Sequence, residues 1–208
     1  MYQAWFMIAD AAACGLLGAA GSIRYMLDRA NAAGALVLGA LLALCAPLIR
    51  DGLLRGSSAI LQGLELWGAC ALAGSLAGLL LSGWRHADRA FYALDFLGLA
   101  LALSLGCFSA MAFISPLPAM LVGLACGLAP GLVRDISIGG EPLCLGEKGY
   151  AASAAMAAML TVACALAPSR WNWLGFFWSQ PWLPVLCGAC AGLLARLVFL
   201  RSAATSGS

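Results

Sequence analysis

Charge is the scarcest thing in this sequence. Asp, Glu, Lys and Arg make up 10% of its 208 residues, His occurs once, and no Lys or Arg precedes Arg24. Soluble domains carry roughly 25% charged residues, so a water-facing surface cannot be assembled from this chain. A cytosolic enzyme, a disordered chain and a secreted disulfide scaffold are excluded on that ground. The missing basic segment also argues against a secretory leader. Asp10 sits inside the first apolar stretch, and Ala11-Ala12-Ala13-Cys14 is only a faint likeness of a lipoprotein cleavage site, so a retained helix is expected there. The net charge of +2 is too small to point to nucleic acid or an acidic substrate. There is no Ser/His/carboxylate set at matched depth and no phosphate-cradling Gly loop. No enzyme chemistry and no resident cofactor are therefore expected.

What is present is apolar: 63% hydrophobic residues and a mean hydropathy of +0.96. A spanning helix needs about 20 apolar residues. Seven stretches qualify, 4–23, 31–49, 59–83, 91–114, 116–133, 149–168 and 182–200, with a small polar tail at 202–208. The runs are unbroken and do not alternate, which favours helices over a transmembrane barrel. The expected fold is an all-α integral membrane protein, one membrane domain over residues 1–208. Its basic residues set the orientation. Arg50, Arg55 and Arg170 fall on the side of the N-terminus; the other eight of the eleven, Arg24, Arg29, Arg85, Arg89, Arg134, Lys148, Arg196 and Arg201, fall opposite. The N-terminus is expected outside and the C-terminus in the cytoplasm of a cell (inner) membrane.

The chain is also duplicated. Gly39 to Asp51 reads Gly-Ala-Leu-Leu-Ala-Leu-Cys-Ala-Pro-Leu-Ile-Arg-Asp; Gly123 to Asp135 reads Gly-Leu-Ala-Cys-Gly-Leu-Ala-Pro-Gly-Leu-Val-Arg-Asp, at an offset of 84. Asp10 and Gly21 correspond to Asp95 and Gly106 at an offset of 85, and Gly56 matches Gly140. Each half, 4–83 and 91–168, holds three spans. An odd number reverses the direction of entry, so the halves must be inverted about an axis in the membrane plane. Inverted repeats with interrupted helices at matching places point to a midplane binding or permeation site. The seventh span stands outside the duplication.

Pro47 and Pro130 should each free a carbonyl, of Ala43 and of Cys126, and kink their helices. Two such kinks facing one another would offer hard oxygen ligands to monovalent cations; otherwise they only shape packing. Ionisable groups at membrane depth are by default functional. Asp10 and Arg50 are expected toward the outer side, Asp95 and Arg134 toward the inner side, as two Asp/Arg clusters at the mouths of one pore, where an unpaired Arg would repel cations and its pairing with Asp10 or Asp95 would gate conduction. Arg50 and Asp51, being adjacent in a helix, are not expected to pair. The alternative is that both arginines snorkel to the headgroups.

The paired Arg-Asp units, the Asp opening each half and the three-plus-three-plus-one plan resemble the trimeric intracellular cation (TRIC) channel family, in its prokaryotic branch. The likeness covers roughly residues 5–165, with the second half closer: Asp95-Phe-Leu-Gly-Leu, Gly131-Leu-Val-Arg134-Asp135, Glu141-Pro142 and Tyr150-Ala151. Cys45-Ala46-Pro47 and Ala129-Pro130-Gly131 stand where that branch has Gly triplets. The resemblance implies a homotrimer in the lipid bilayer with one pore per subunit, conducting K+ and Na+ passively. It assigns the pore lining to Cys45–Asp51 and Ala129–Asp135. Eukaryotic members bear a Lys at these helices; none matches here, and Lys148 lies beyond the motif. Some relatives of the same domain are described as glycine transporters, so a secondary transporter of a small amino acid is the alternative function; a non-conducting scaffold or intramembrane enzyme is the third.

The nine Cys read as small hydrophobes within spans. The Cys187-x-x-Cys190 spacing lacks the remaining ligands of a zinc site, and no metal is expected. Gly74/Gly78, Gly123/Gly127/Gly131 and Gly188/Gly192 permit close helix packing. Trp5, Trp67, Trp84, Trp171, Trp173, Trp178 and Trp182 read as interfacial belts. Glu65 is a headgroup residue or a cavity carboxylate.

Overall fold

The computed structural model describes residues 4–55, 59–146, 149–170 and 180–206. All regular structure among them is helical: α1 (Ala4–Arg29), α2 (Ala32–Arg55), α3 (Ala59–Ser82), α4 (Ala87–Ala110), α5 (Pro116–Ile138), the single turn α6 (Leu143–Gly146), α7 (Tyr150–Arg170) and α8 (Leu183–Ser206). Six are long and apolar enough to cross a bilayer, and α8 has a shorter apolar stretch, Leu183–Phe199. At 1.5 Å per residue these 17 residues reach the lower end of what spans hydrocarbon.

The helices outrun the apolar stretches read from sequence. α2 continues to Arg55 and α5 to Ile138, past both Arg-Asp pairs, whereas hydropathy placed the ends at 49 and 133. A paired charge does not end a helix, because its backbone still bonds within the segment. Local chemistry marks the true ends. Asn31 Oδ1 accepts from the first N–H groups of α2, Ala33 at 3.1 Å and Gly34 at 3.4 Å. Pro116 opens α5, where a missing N–H costs nothing. Gly139 closes α5 at φ 75°, and Arg29 Nη2 donates to the Ile138 carbonyl at 2.7 Å, tying that end to α1.

The duplication is visible in the packing. α1 packs on α2 and α3 as α4 packs on α5 and α7, while α1 meets α4 and α2 meets α5 across the repeat axis. A Cβ on Gly39 would lie 2.6 Å from the Gly18 carbonyl oxygen and collide with Ser22 Oγ; one on Gly123 would lie 2.8 Å from the Leu103 carbonyl oxygen and collide with Cys107 Sγ. Gly18/Leu103 and Ser22/Cys107 are themselves repeat pairs at an offset of 85. Gly21 closes on Leu42 and Gly39, and Gly106 on Cys126 and Gly123, in the same relation. In the third helices Ser75 Oγ donates to the Ala71 carbonyl at 2.7 Å and Thr161 Oγ1 to the Ala157 carbonyl at 2.8 Å, an offset of 86.

The small-residue spacings thus have addresses inside the subunit. Gly74 and Gly78 press α3 onto the α1 backbone at Gly15 and Ala19, each added Cβ falling 2.7 Å from the facing Cα. Gly188 seats α8 on Thr161 and Ala157 of α7. Trp67 corrects the reading of the tryptophans as interfacial belts: it is buried, packed with Cys14, Ala43 and Ala71, because it faces α1 and α2. Trp5 packs edge to face on Phe6 and Phe108. Trp84 and Trp182 are exposed, and Trp171, Trp173 and Trp178 lie outside the described residues, as do Gly56, Lys148 and the last two residues of the tail. Glu65 is exposed, as a headgroup residue would be.

Candidate functional site

Pro47 and Pro130 both sit in helix interiors, with helix continuing on either side. Neither can donate to the carbonyl four residues earlier, on Ala43 and Cys126. Ala43, Ala46, Pro47, Cys126, Pro130 and Gly131 are buried, and Cys45 and Ala129 are half-buried. Ala46 of α2 and Cys126 of α5 share one core cluster with Phe6, Ala13 and Leu105. The sequence-designated segments therefore turn inward, toward each other and toward α1 and α4.

The charges lie just beyond the prolines and are buried too. Arg50 is 2% exposed and Arg134 1%, so neither reaches out as a snorkelling side chain does. Arg50 is bidentate on Asp10, Nη1 to Oδ1 at 2.8 Å and Nη2 to Oδ2 at 3.0 Å. Its Nε also donates to Asp51 Oδ1 at 2.9 Å. That last bond corrects the expectation that neighbours on a helix do not pair. The Arg side chain is long enough to swing its guanidinium back over the next residue, and Asp10 holds it there from α1. The second cluster repeats the plan: Arg134 Nη1 donates to Asp95 Oδ1, and Nε to Asp135 Oδ1 at 2.7 Å. By helix position the first cluster lies in the first half of α1 and the second in the first half of α4.

The copies differ in their outer bonds. Asp95 Oδ2 takes its hydrogen bond from Tyr150 Oη at 3.3 Å instead of from a second guanidinium nitrogen. Asp135 Oδ2 accepts from the Leu143 backbone N–H of α6 at 2.8 Å. Among the described residues, Arg134 Nη2 and Asp51 Oδ2 have no hydrogen-bond partner.

Two aromatic neighbours of the clusters escaped the sequence reading. The Arg50 guanidinium lies 5.2 Å from the Phe6 ring centroid, and that of Arg134 4.8 Å from Phe91. Phe6 and Phe91 precede Asp10 and Asp95 by four residues, one helical turn, and are related by the same offset of 85. That repeated Phe-x-x-x-Asp spacing was the signal. Phe91→Leu keeps an apolar side chain but removes the ring face. The expected loss is about 1 kcal/mol of stability in detergent, read as a lowered Tm; an unchanged Tm would show that the ring only fills space. Arg196, counted in sequence with the loop charges, is 3% exposed inside α8.

Each cluster holds one Arg and two Asp, a formal charge of −1. A buried guanidinium that is charged needs such partners, since removing one leaves an uncompensated ion. The surplus carboxylate is what the arrangement can spend on an outside cation. No group of three or more His, Cys, Asp or Glu suited to a metal ion occurs among the described residues.

Comparison with known proteins places this fold. A TRIC trimeric intracellular cation channel orthologue from Rhodobacter sphaeroides is similar with a TM-score of 0.81 and 22% identity, over 96% of this chain and 100% of that one. A prokaryotic TRIC channel crystallised in 0.5 M KCl is similar with a TM-score of 0.75 and 17% identity, over 91% of this chain and 94% of that one. A further structure, described for conductance through TRIC cation channels, gives 0.70 and 19% over 93% and 92%. The glycine transporter family model matches residues 92–166. No curated protein matches the sequence. The fold is that of the TRIC channels.

Proposed function

We propose that this chain, folded as a TRIC channel, passes monovalent cations, K+ and Na+, down their gradients through one pore per subunit of a homotrimer. The pore follows the seam between α2 and α5, lined by Ala43, Cys45–Asp51, Cys126 and Ala129–Asp135, with Asp10 and Asp95 as charge partners at its two mouths. The observation that carries this reading is the pair of buried Arg–Asp–Asp clusters, each of formal charge −1, one in each half of the repeat. Such a plan attracts cations from either side and is unsuited to one-way chemistry. Freed carbonyls at Ala43 and Cys126 supply neutral oxygen ligands between the mouths.

Setting aside the three buried arginines Arg50, Arg134 and Arg196, the order of the spans puts Arg55 and Arg170 on the N-terminal side and Arg24, Arg29, Arg85, Arg89 and Arg201 opposite. That division supports a multi-pass protein of the cell (inner) membrane with the N-terminus outside. The second reading, a secondary transporter of a small zwitterion such as glycine, draws on the family match over 92–166. Purified protein in a planar bilayer under asymmetric K+/Na+ separates them. Unitary current steps that reverse near the cation equilibrium potential are expected. Saturable glycine uptake by liposomes without resolvable steps would replace the channel with the transporter.

A further inference from the structure

α8 stands outside the duplication, yet it brings a buried charge to one half only. The Arg196 guanidinium carbon lies 4.4 Å from the Phe96 ring centroid on α4 and 4.5 Å from that of Tyr150 on α7. The two rings stand near edge to face, with centroids 6.4 Å apart and an interplanar angle of 70°. The guanidinium therefore plugs the corner between them, where a cation facing aromatic rings is attracted by their quadrupoles. Tyr150 then hands the contact on, its hydroxyl donating to Asp95 Oδ2 at 3.3 Å while Asp95 Oδ1 takes Arg134. A narrow crevice beside this corner, with room for about one water (~10 Å3), is lined in part by Leu99, Ser153 and Leu193. Tyr150 is buried, with the Arg196 guanidinium against its ring.

Among the described residues the first half shows no such device. The repeat offsets set Ala11 where Phe96 stands and Leu64 where Tyr150 stands, and there is no extra helix to follow. Asp10 is held instead by both terminal nitrogens of Arg50. We propose that Arg196 is a positioning residue for the inner cluster: it fixes Tyr150, and through Tyr150 it sets how firmly Asp95 holds Arg134, leaving the outer cluster untouched. The proposal rests on the channel reading and adds a direction to it. A bias at one mouth makes the current depend on the sign of the voltage, which the two-fold repeat alone would not.

The test joins bilayer recording to fluorine NMR of the full-length protein carrying 3-fluorotyrosine, with the Tyr150 line identified by its loss in Y150F. R196M should shift that line and change the ratio of currents at opposite voltages about threefold, with R196K in between. The double variant R196M/Y150F should rectify as Y150F alone does, because Arg196 acts through Tyr150. Folding is checked by Tm, and if R196M does not fold, R196K carries the comparison. An unmoved Tyr150 line, or effects of the two substitutions that simply multiply, would overturn the proposal. If wild type passes no unitary current, the channel reading and the rectification fall together. The NMR line still judges the contact: a shift in R196K upholds it and no shift removes it.

Discussion

Arg134→Gln is expected to raise the unitary cation current, and Asp95→Asn to lower it. The inner cluster carries one guanidinium and two carboxylates. Loss of the Arg takes its formal charge from −1 to −2, and loss of Asp95 takes it to 0. A more negative mouth concentrates cations, so the current should rise about two- to threefold at ~0.05 M salt and less at ~1 M, where the Debye length shrinks to roughly 3 Å. The opposite signs matter most, because a disturbed fold would lower both. Arg134→Gln should also fold better than Arg50→Gln. After Arg134 is lost, Asp95 keeps the Tyr150 hydroxyl and Asp135 keeps the Leu143 N–H. After Arg50 is lost, Asp10 and Asp51 keep no other hydrogen bond recorded among the described residues. Breaking a buried pair from one side costs about 3–5 kcal/mol, and the outer variant should bear nearer the whole of it. Equal currents in wild type and folded Arg134→Gln would sever the cluster from conduction.

Much of this was legible in the sequence because lipid makes charge conspicuous. Asp10, Arg50, Asp95 and Arg134 could be paired by depth alone, and the structure brings them together in those pairs. The inverted repeat was readable because an odd helix count leaves no other geometry. Hydropathy failed where a charge is paired, ending α2 and α5 short of their actual ends. It also counted Arg196 among loop charges, since a one-dimensional scan cannot see two aromatic rings from other helices. The Arg50–Asp51 bond was ruled out by the rule for helical neighbours, which describes side chains that meet one turn apart on a single free helix. A guanidinium on a flexible stem, anchored from another helix, is not bound by it. Phe6 and Phe91 were missed although they obey the repeat, because an apolar residue in an apolar span carries no contrast.

Gly39→Ala and Gly123→Ala are expected to unfold the protein or leave it unable to assemble, while Gly52→Ala, on the same helix as Gly39, should be harmless. A single methyl separates the three. At Gly39 it would sit 2.6 Å from the Gly18 carbonyl oxygen and 2.7 Å from Ser75 Oγ; at Gly123, 2.8 Å from the Leu103 carbonyl oxygen; at Gly52 it meets nothing within 4 Å. A carbonyl within α1 or α4 cannot step aside without moving its helix, so relief requires the helices to part. Overpacking of this kind costs roughly 1–3 kcal/mol and sometimes more. The same parting acts at the charges. Arg50 lies three turns along α2 from Gly39, and its bonds to Asp10 on α1 at 2.8 and 3.0 Å bridge the pair of helices that must separate. Packing and electrostatics fail together, which makes the effect larger than either alone. Gly52→Ala should instead gain about 0.5–1 kcal/mol from lower backbone entropy in the unfolded chain. Tm and elution volume in detergent read all three. A Gly39→Ala protein that melts and elutes as wild type would show that α1 and α2 do not approach as closely as their repeat partners α4 and α5.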